Sequence, residues 1–589
     1  MKKTLLFSVA LAGLMLGSCS SSDDLNGGGN NTGSNQSGDG YVAFNINLPT
    51  QSGSSSRAGG SENDQFKDGL ASEYDVKNAT LLLFDGSDES TATFVRGYAL
   101  NTSPWTQKGP DANVTKTSAT IVQKVDAPST NYLALVVLNH NNVFSLDTDG
   151  KITVDGTDLT GLTLSKFMEK TNATIGKSLT ESGFYMANAP LATKGGGSTS
   201  PTGATINTLV SLDGKIKPTE AEASAAPADI YVERGVAKVT MAAPTVSEVT
   251  GSYTNETHPT KVPFKVTSWA LDNTNKSTYL VRSTDGFSTW LDLATKETVA
   301  NPYRFVGSAA VATGLYRTYF AKDPNFDTAG NTGVTFNKAA DTDYSTNFGD
   351  DNPKYCFENT FDVENQNDNK TTRVLIKAQL NSGNTFYVLN GNQNTIYKEE
   401  DVIKEIKNQF LTEYDQWLKD NVATPAKVGE TNVNVTISTA VGKDAGKVTI
   451  TNIELTGVTL KTGSTPLVTS DVVNNVTARL GTIDKYNNGE SYYFVRIKHF
   501  GDDLTPWANG KLGVGTKVYP APDAEANWLG RYGVLRNNWY DIAVEGVKGL
   551  GSAEVPDVTT TTDDELESYI AVRINVLSWA KRTQNATLH

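Results

Sequence analysis

The residues with distinctive chemistry sit near the start of the chain. Cys19 follows Leu16-Gly17-Ser18. A cysteine behind a leucine and two small residues is the arrangement of a bacterial lipobox, in which the thiol takes a diacylglycerol. Ahead of it stand Lys2-Lys3 and an apolar run from Leu5 to Leu16, the basic and apolar regions of a secretory leader. The run is too short to span a bilayer as a helix, whereas acyl chains on Cys19 would hold the chain to a membrane. The second feature is Arg57-Ala58, one basic residue in a Ser/Gly stretch, residues 50–60. Such a loop exposes its bond to an arginine-specific protease.

Other chemistry is thin. Four histidines (His140, His258, His499, His589) and two cysteines (Cys19, Cys356) show no spacing of a zinc or redox site. Cys356 reads as a buried small apolar residue. Asp147-Thr148-Asp149-Gly150 begins like a calcium loop but lacks the later ligands, so it reads as a turn. No carboxylate pair stands out for glycoside hydrolysis. The expectation is a chain that is not an enzyme, with no catalytic residue, no metal and no cofactor.

With 51 basic against 65 acidic residues the net charge is −14, which disfavours nucleic acid as a partner. Apolar residues make up 38% and mean hydropathy is −0.36, values of a globular protein. Its 589 residues are too many for one ordinary core and suit two large domains. Residues 20–40 are Ser, Asp, Asn and Gly with almost nothing apolar, a flexible tether. Asp23-Asp24 within it resembles the surface-export signal of Bacteroidetes lipoproteins.

The elements that must position these features are strands. Residues 41–48 read Y-V-A-F-N-I-N-L, which puts Val42, Phe44, Ile46 and Leu48 on one face and Asn45 and Asn47 on the other. Pro49 ends the strand. A cut after Arg57 would leave it held by non-covalent contacts alone. Burial of four such side chains contributes roughly 6–12 kcal/mol at most, and their departure would leave an apolar groove that needs another strand. Further short apolar or alternating runs at 79–84, 132–138, 230–241, 264–271, 373–380 and 492–497 suit antiparallel sheets. Residues 399–419 place Val402, Ile403, Ile406, Phe410, Tyr414 and Trp417 at helical spacing, and residues 323–352 read as a surface loop. No period of 20–50 residues signals a repeat architecture.

The C-terminal end repeats the pattern of the first strand. After a Thr/Asp-rich spacer, 557–567, residues 569–579 set Ile570, Val572, Ile574 and Val576 on one face and Ala571, Arg573 and Asn575 on the other. Such a strand can close its own domain or reach a neighbour by strand addition; the sequence leaves both open.

Four stretches, Ile230 through Lys238 (I-Y-V-E-R-G-V-A-K), Tyr355 through Thr360 (Y-C-F-E-N-T), Gly533 through Tyr540 (G-V-L-R-N-N-W-Y) and Val576-Leu577-Ser578-Trp579, taken with the lipobox and Arg57-Ala58, resemble the minor fimbrium subunits of Bacteroidales, shaft proteins of type V pili. The resemblance implies an all-β fold of two transthyretin-like or Ig-like antiparallel sandwiches, with a short helix in the second. It divides the chain into a leader at 1–18, a lipidated propeptide at 19–57, sandwiches at 58–232 and 233–568, and a donor strand at 569–589. The implied precursor is a lipoprotein of the outer-membrane surface, cut between Arg57 and Ala58 and carried into a fimbrium. There the groove of Val42, Phe44, Ile46 and Leu48 receives Ile570, Val572, Ile574, Val576 and Trp579 of the next copy. Implied partners are the chain itself, head to tail, accessory tip and anchor pilins, and an arginine-specific protease; the implied role is adhesion and biofilm formation. A surface glycan-binding lipoprotein, whose eight tryptophans would stack on sugars, is the competing reading, with a pilus anchor or tip component beside it.

Overall fold

Alternation in the first strand is what the folded chain shows. In the structure, a computed structural model, β1 (Gly40–Asn47) buries Val42, Phe44 and Ile46, with Leu48 buried just beyond its end, while Asn45 and Asn47 are partly exposed. The residues described are 40–48, 70–103, 118–126, 131–140, 143–168, 171–172, 183–195, 203–250, 261–288, 306–325, 336–360, 368–497, 499, 533–559, 570–577 and 583–584.

β1 joins β2 (Ala79–Asp85), β3 (Thr93–Leu100), β4 (Ser118–Val125), β5 (Tyr132–Leu138), β6 (Met186–Asn188) and β7 (Ala228–Arg234) in one sheet. Its order is β3-β2-β5-β6-β7-β1-β4, with the short strand Val210–Ser211 also on β5. β2 and β5 are apolar without alternation and are buried almost throughout, as strands covered on both faces must be. Among the described residues two short α-helices accompany the sheet, α1 (Leu164–Met168) and α2 (Glu220–Ala225). α2 packs against β1 and β4.

The run 230–241, expected as one strand, is two. β7 ends at Arg234, Gly235 and Val236 cross over, and β8 (Ala237–Met241) enters a different sheet. The backbone shows why. Gly235 N donates to Tyr185 O on the first side, and Val236 O accepts from Asn537 N on the second. Residue 232, the expected boundary, therefore falls inside β7.

Beyond the crossing come β9 (Glu248–Val249), β10 (Val262–Asp272), β11 (Lys354–Cys356) and β12 (Arg373–Leu380). The chain then leaves for an insert: β13 (Phe386–Leu389), α3 (Glu399–Glu413), α4 (Asp415–Asn421), β14 (Val433–Thr439), β15 (Lys447–Leu455), α5 (Thr469–Leu480) and β16 (Ile483–Tyr486). It returns as β17 (Glu490–Arg496), β18 (Trp539–Val547), β19 (Ile570–Leu577) and β20 (Thr583–Gln584). Sheets β11-β8-β18-β19-β20 and β9-β10-β12-β17 contribute Val239, Ile542 and Val544 from one and Phe264, Trp269, Ile376 and Val495 from the other to a shared core, a sandwich. The fold is mostly β, as expected.

The expected short helix in the second sandwich proves to be part of a larger unit. The helix over 399–419 breaks at Tyr414 into α3 and α4, and Val402, Ile406, Phe410 and Leu418 pack with α5 and the sheet β13-β16-β15-β14 in a separate core. Ile406, fully buried there, gives a test of independence. Ile406→Ala should cost about 2–5 kcal/mol and, in hydrogen exchange, speed the amides of the insert while β2 and β5 keep their protection. The described part of the 323–352 loop lies along β10, where Ser345 and Trp269 exchange backbone hydrogen bonds of 2.8 and 3.0 Å.

Candidate functional site: a strand groove and a buried polar junction

β1 is an inner strand. It runs parallel to β7, from Phe44↔Ala228 to Asn47↔Tyr231, and antiparallel to β4, from Gly40↔Val125 to Asn47↔Ser118. Among the described residues β4 pairs with no other strand of the sheet. Beyond β1's end on β7, Tyr41 and Lys217 exchange two backbone hydrogen bonds of 2.8 Å. Asn45 Nδ2 donates to Asp229 Oδ1 at 2.9 Å, Thr120 Oγ1 donates to Asn45 Oδ1 at 2.7 Å, and Asn47 Nδ2 donates to Ile230 O at 3.3 Å. On the core side Val42, Phe44 and Ile46 are 0% and Leu48 2% exposed. Ala43, also fully buried, lies on the opposite face, where α2 covers the strand with its own buried Ala223. Cys19, Arg57 and Ala58 lie outside the described residues.

Leu70 leads into a buried polar junction. Leu70 N donates to Glu73 Oε2 at 3.0 Å. The Glu73 carboxylate also meets Lys238 Nζ at 2.8 Å, with both side chains fully buried, and accepts from Tyr355 OH at 2.6 Å. Arg234 Nε donates to Glu73 O at 3.1 Å, and its guanidinium lies 4.7 Å from the Tyr74 ring centre. Lys238 Nζ stands 3.9 Å over the Trp539 ring. Burial pulls the Lys238 ammonium below its ordinary pKa against the opposing pull of Glu73, and burial together with Glu73 pushes the Tyr355 phenol up. Nearby, Arg282 is paired with Glu233, and Arg536 Nη2 lies 3.3 Å from Glu358 Oε1.

Three of the four stretches singled out in the sequence meet here, supplying Glu233, Arg234 and Lys238, then Tyr355 and Glu358, then Arg536 and Trp539. The sequence reading did not assign this network. Its trace was present in three charged side chains, Glu233, Arg234 and Lys238, set in an otherwise apolar run; Glu73 carried no signal of its own.

The remaining candidates are structural. Asp147 Oδ1 accepts from Asp149 N at 3.0 Å and Lys151 N at 2.8 Å, closing a turn, and no metal-holding group of three side chains occurs among the described residues. Cys356 is buried, and burial pushes its thiol up to about 12. In a chain lacking Cys19, a neutral thiol reagent should therefore label nothing until denaturant is added; rapid labelling of the folded chain would contradict this burial.

At the other end β19 pairs antiparallel with β18, from Trp539↔Leu577 to Val547↔Ile570. Among the described residues its second flank carries β20 alone, through Ile574↔Gln584 and Asn575↔Thr583. Ile570, Val572, Ile574 and Val576 thus lie in a strand held by the chain's own second sandwich; Trp579 lies outside the described residues. The spacer starts tied down, with Arg373 Nη2 donating to Pro556 O at 2.6 Å and Thr559 N to Asp368 Oδ2 at 2.9 Å.

Residues 517–585 match the family model described as the C-terminal part of fimbrillin, the major fimbrial subunit protein type IV. By this segment the chain is similar to the C-terminal part of fimbrillins. The matched segment includes the antiparallel pair β18 and β19 and the short β20. No curated protein matches the chain. Among solved structures, a fimbrial assembly protein from Parabacteroides distasonis ATCC 8503 is 12% identical, with 57% of this chain and 81% of that one covered and a TM-score of 0.25.

Proposed function

We propose that this chain is a structural subunit of a surface pilus of the type V class, assembled by exchanging β1 for the C-terminal strand of another copy. The leader is removed, Cys19 is lipidated and carries the precursor on the outer membrane, and residues 19–57 leave after a cut between Arg57 and Ala58. Two sandwiches, joined at Gly235 and Val236, remain in the mature subunit. Residues 569–589 of the next copy then occupy the emptied groove. Accessory tip and anchor pilins bound the filament, which serves adhesion and biofilm formation; no residue has a catalytic part.

The observation that carries this reading is the place of β1. β1 is a strand inside a sheet, ten residues ahead of an arginine in a Ser/Gly loop, and its loss opens two ladders at once, on β7 and on β4. A strand entering between them gains partners on both sides. On β18 the C-terminal strand has one full partner and a short second one. Exchange between copies is heterologous and does not close, so repetition makes a fibre.

The test is to treat soluble precursor that begins after Cys19 with an arginine-specific protease, then read the new N-terminus and the particle size. Expected are a start at Ala58 and heat-labile polymer ladders, both lost in Arg57→Ala, the ladders alone lost when residues 569–589 are deleted. A cleanly cut chain that stays monomeric would overturn the reading.

A further inference from the structure

The C-terminal strand is a copy of the strand it is to replace. Residues 41–48 read Y-V-A-F-N-I-N-L and residues 569–576 read Y-I-A-V-R-I-N-V. Tyr41 and Tyr569, Ala43 and Ala571, Ile46 and Ile574, and Asn47 and Asn575 coincide. The other apolar positions stay apolar, and a single position changes character, from Asn45 to Arg573. Resting on the strand-exchange reading above, we infer that the C-terminal strand of one copy enters the groove of the next in the register of β1, with Arg573 placed on Asp229 as the contact that selects it.

Each coincidence answers a demand of the groove. Tyr41 gives and takes one backbone hydrogen bond with Lys217, and Tyr569 arrives at that place. Ala43 is fully buried on the face that α2 covers, so the slot takes a small side chain, and Ala571 is one. Asn47 donates to Ile230 O; Asn575 carries the same amide. A slip of two residues would put Tyr569 or Arg573 under α2, and a slip of one would turn the apolar face outward. The alignment leaves one vacancy and adds one charge. Val572 is smaller than the Phe44 it succeeds. Arg573 comes where Asn45 donates to Asp229 at 2.9 Å, and Asp229 is exposed, open to a guanidinium from the incoming strand. An ion pair with two charged partners then replaces a neutral donor's hydrogen bond to the same carboxylate, an ion pair that β1 itself does not make.

The test is a charge exchange in the full soluble precursor, read as the rate of polymer growth after cutting. Lysine is chosen so that no new arginine site is created. Asp229→Lys and Arg573→Asp should each slow growth about tenfold, and the double variant should recover most of the rate, less so at high salt. Ala571→Leu should stop growth and Ala571→Gly should not. Unchanged melting of the uncut variants shows that they fold. Growth unaffected by either charge variant, a double variant no faster than the singles, or an Ala571→Leu chain that polymerises normally overturns the register while filaments still form. Wild-type chains that never polymerise overturn the strand-exchange reading itself.

Discussion

Phe44→Ala is expected to weaken the uncut chain and to quicken the cut one. Phe44 is fully buried in the core that β1 shares with β2 and β5, so truncating its ring removes apolar burial and leaves a cavity, together about 3–5 kcal/mol. In the intact precursor this appears as a lower denaturant midpoint. After cleavage at Arg57 only non-covalent contacts retain the strand. The same loss then speeds its release, by about a hundredfold or more if little of β1's packing survives in the transition state for leaving. On the strand-exchange reading the filament would contain no Phe44, so its own melting temperature should match that of wild type. Stability of the precursor by denaturation, growth rate by light scattering and filament melting decide the matter together. A filament weakened as much as the precursor would show that β1 stays in place.

The second large effect is expected at the junction. Glu73→Ala leaves the fully buried Lys238 ammonium, and the Tyr355 hydroxyl beside it, without their shared acceptor. Removal of one partner from a buried pair costs about 3–5 kcal/mol, far more than the pair contributes net, because the stranded charge remains out of water. Combining Glu73→Ala with Lys238→Met should recover much of the loss, since the charge then goes with its partner. Denaturant melts measure the size of the effect. Limited proteolysis locates it, and early cutting near Gly235 is the expected pattern. Equal destabilisation by the single and double variants would mean that packing, and not the charge, holds this site.

Much of the architecture was legible because period and burial agree. The alternation of 41–48 matches the burial along β1, and the apolar run of 132–138 coincides with β5, while the stretches 373–380 and 570–577 are strands as expected, β12 and β19. What was not legible depended on contacts far apart in sequence. Gly235 lies in an apolar run that looks like one strand, and it is the competition of Tyr185 and Asn537 for its backbone neighbourhood that splits the run. The insert was missed because its helices carry an ordinary amphipathic stripe, which says that a core exists but not which one. Glu73 had no local mark at all; only the fold brings it to Lys238, Tyr355 and Arg234. The buried face of β1, Val42, Phe44, Ile46 and Leu48, was read from its spacing. The position of β1 between β7 and β4, on which its consequence depends, required the sheet order.

The crossing from β7 to β8 also bears on how tension would travel. On the strand-exchange reading a guest strand would take the place of β1 along β7; β7 continues through two residues into β8; and β8 lies parallel to β18, from Lys238↔Trp539 to Met241↔Ile542. A pull along the fibre axis would enter one subunit through its guest strand and leave through the segment after β18. On that route the ladders are loaded in shear, many hydrogen bonds at once, and not peeled one at a time, while the ion pairs around Glu73 brace the single bend. Stretching single fibres should therefore give rupture in one step at high force, with Glu73→Ala adding an earlier, softer extension as the two sandwiches part.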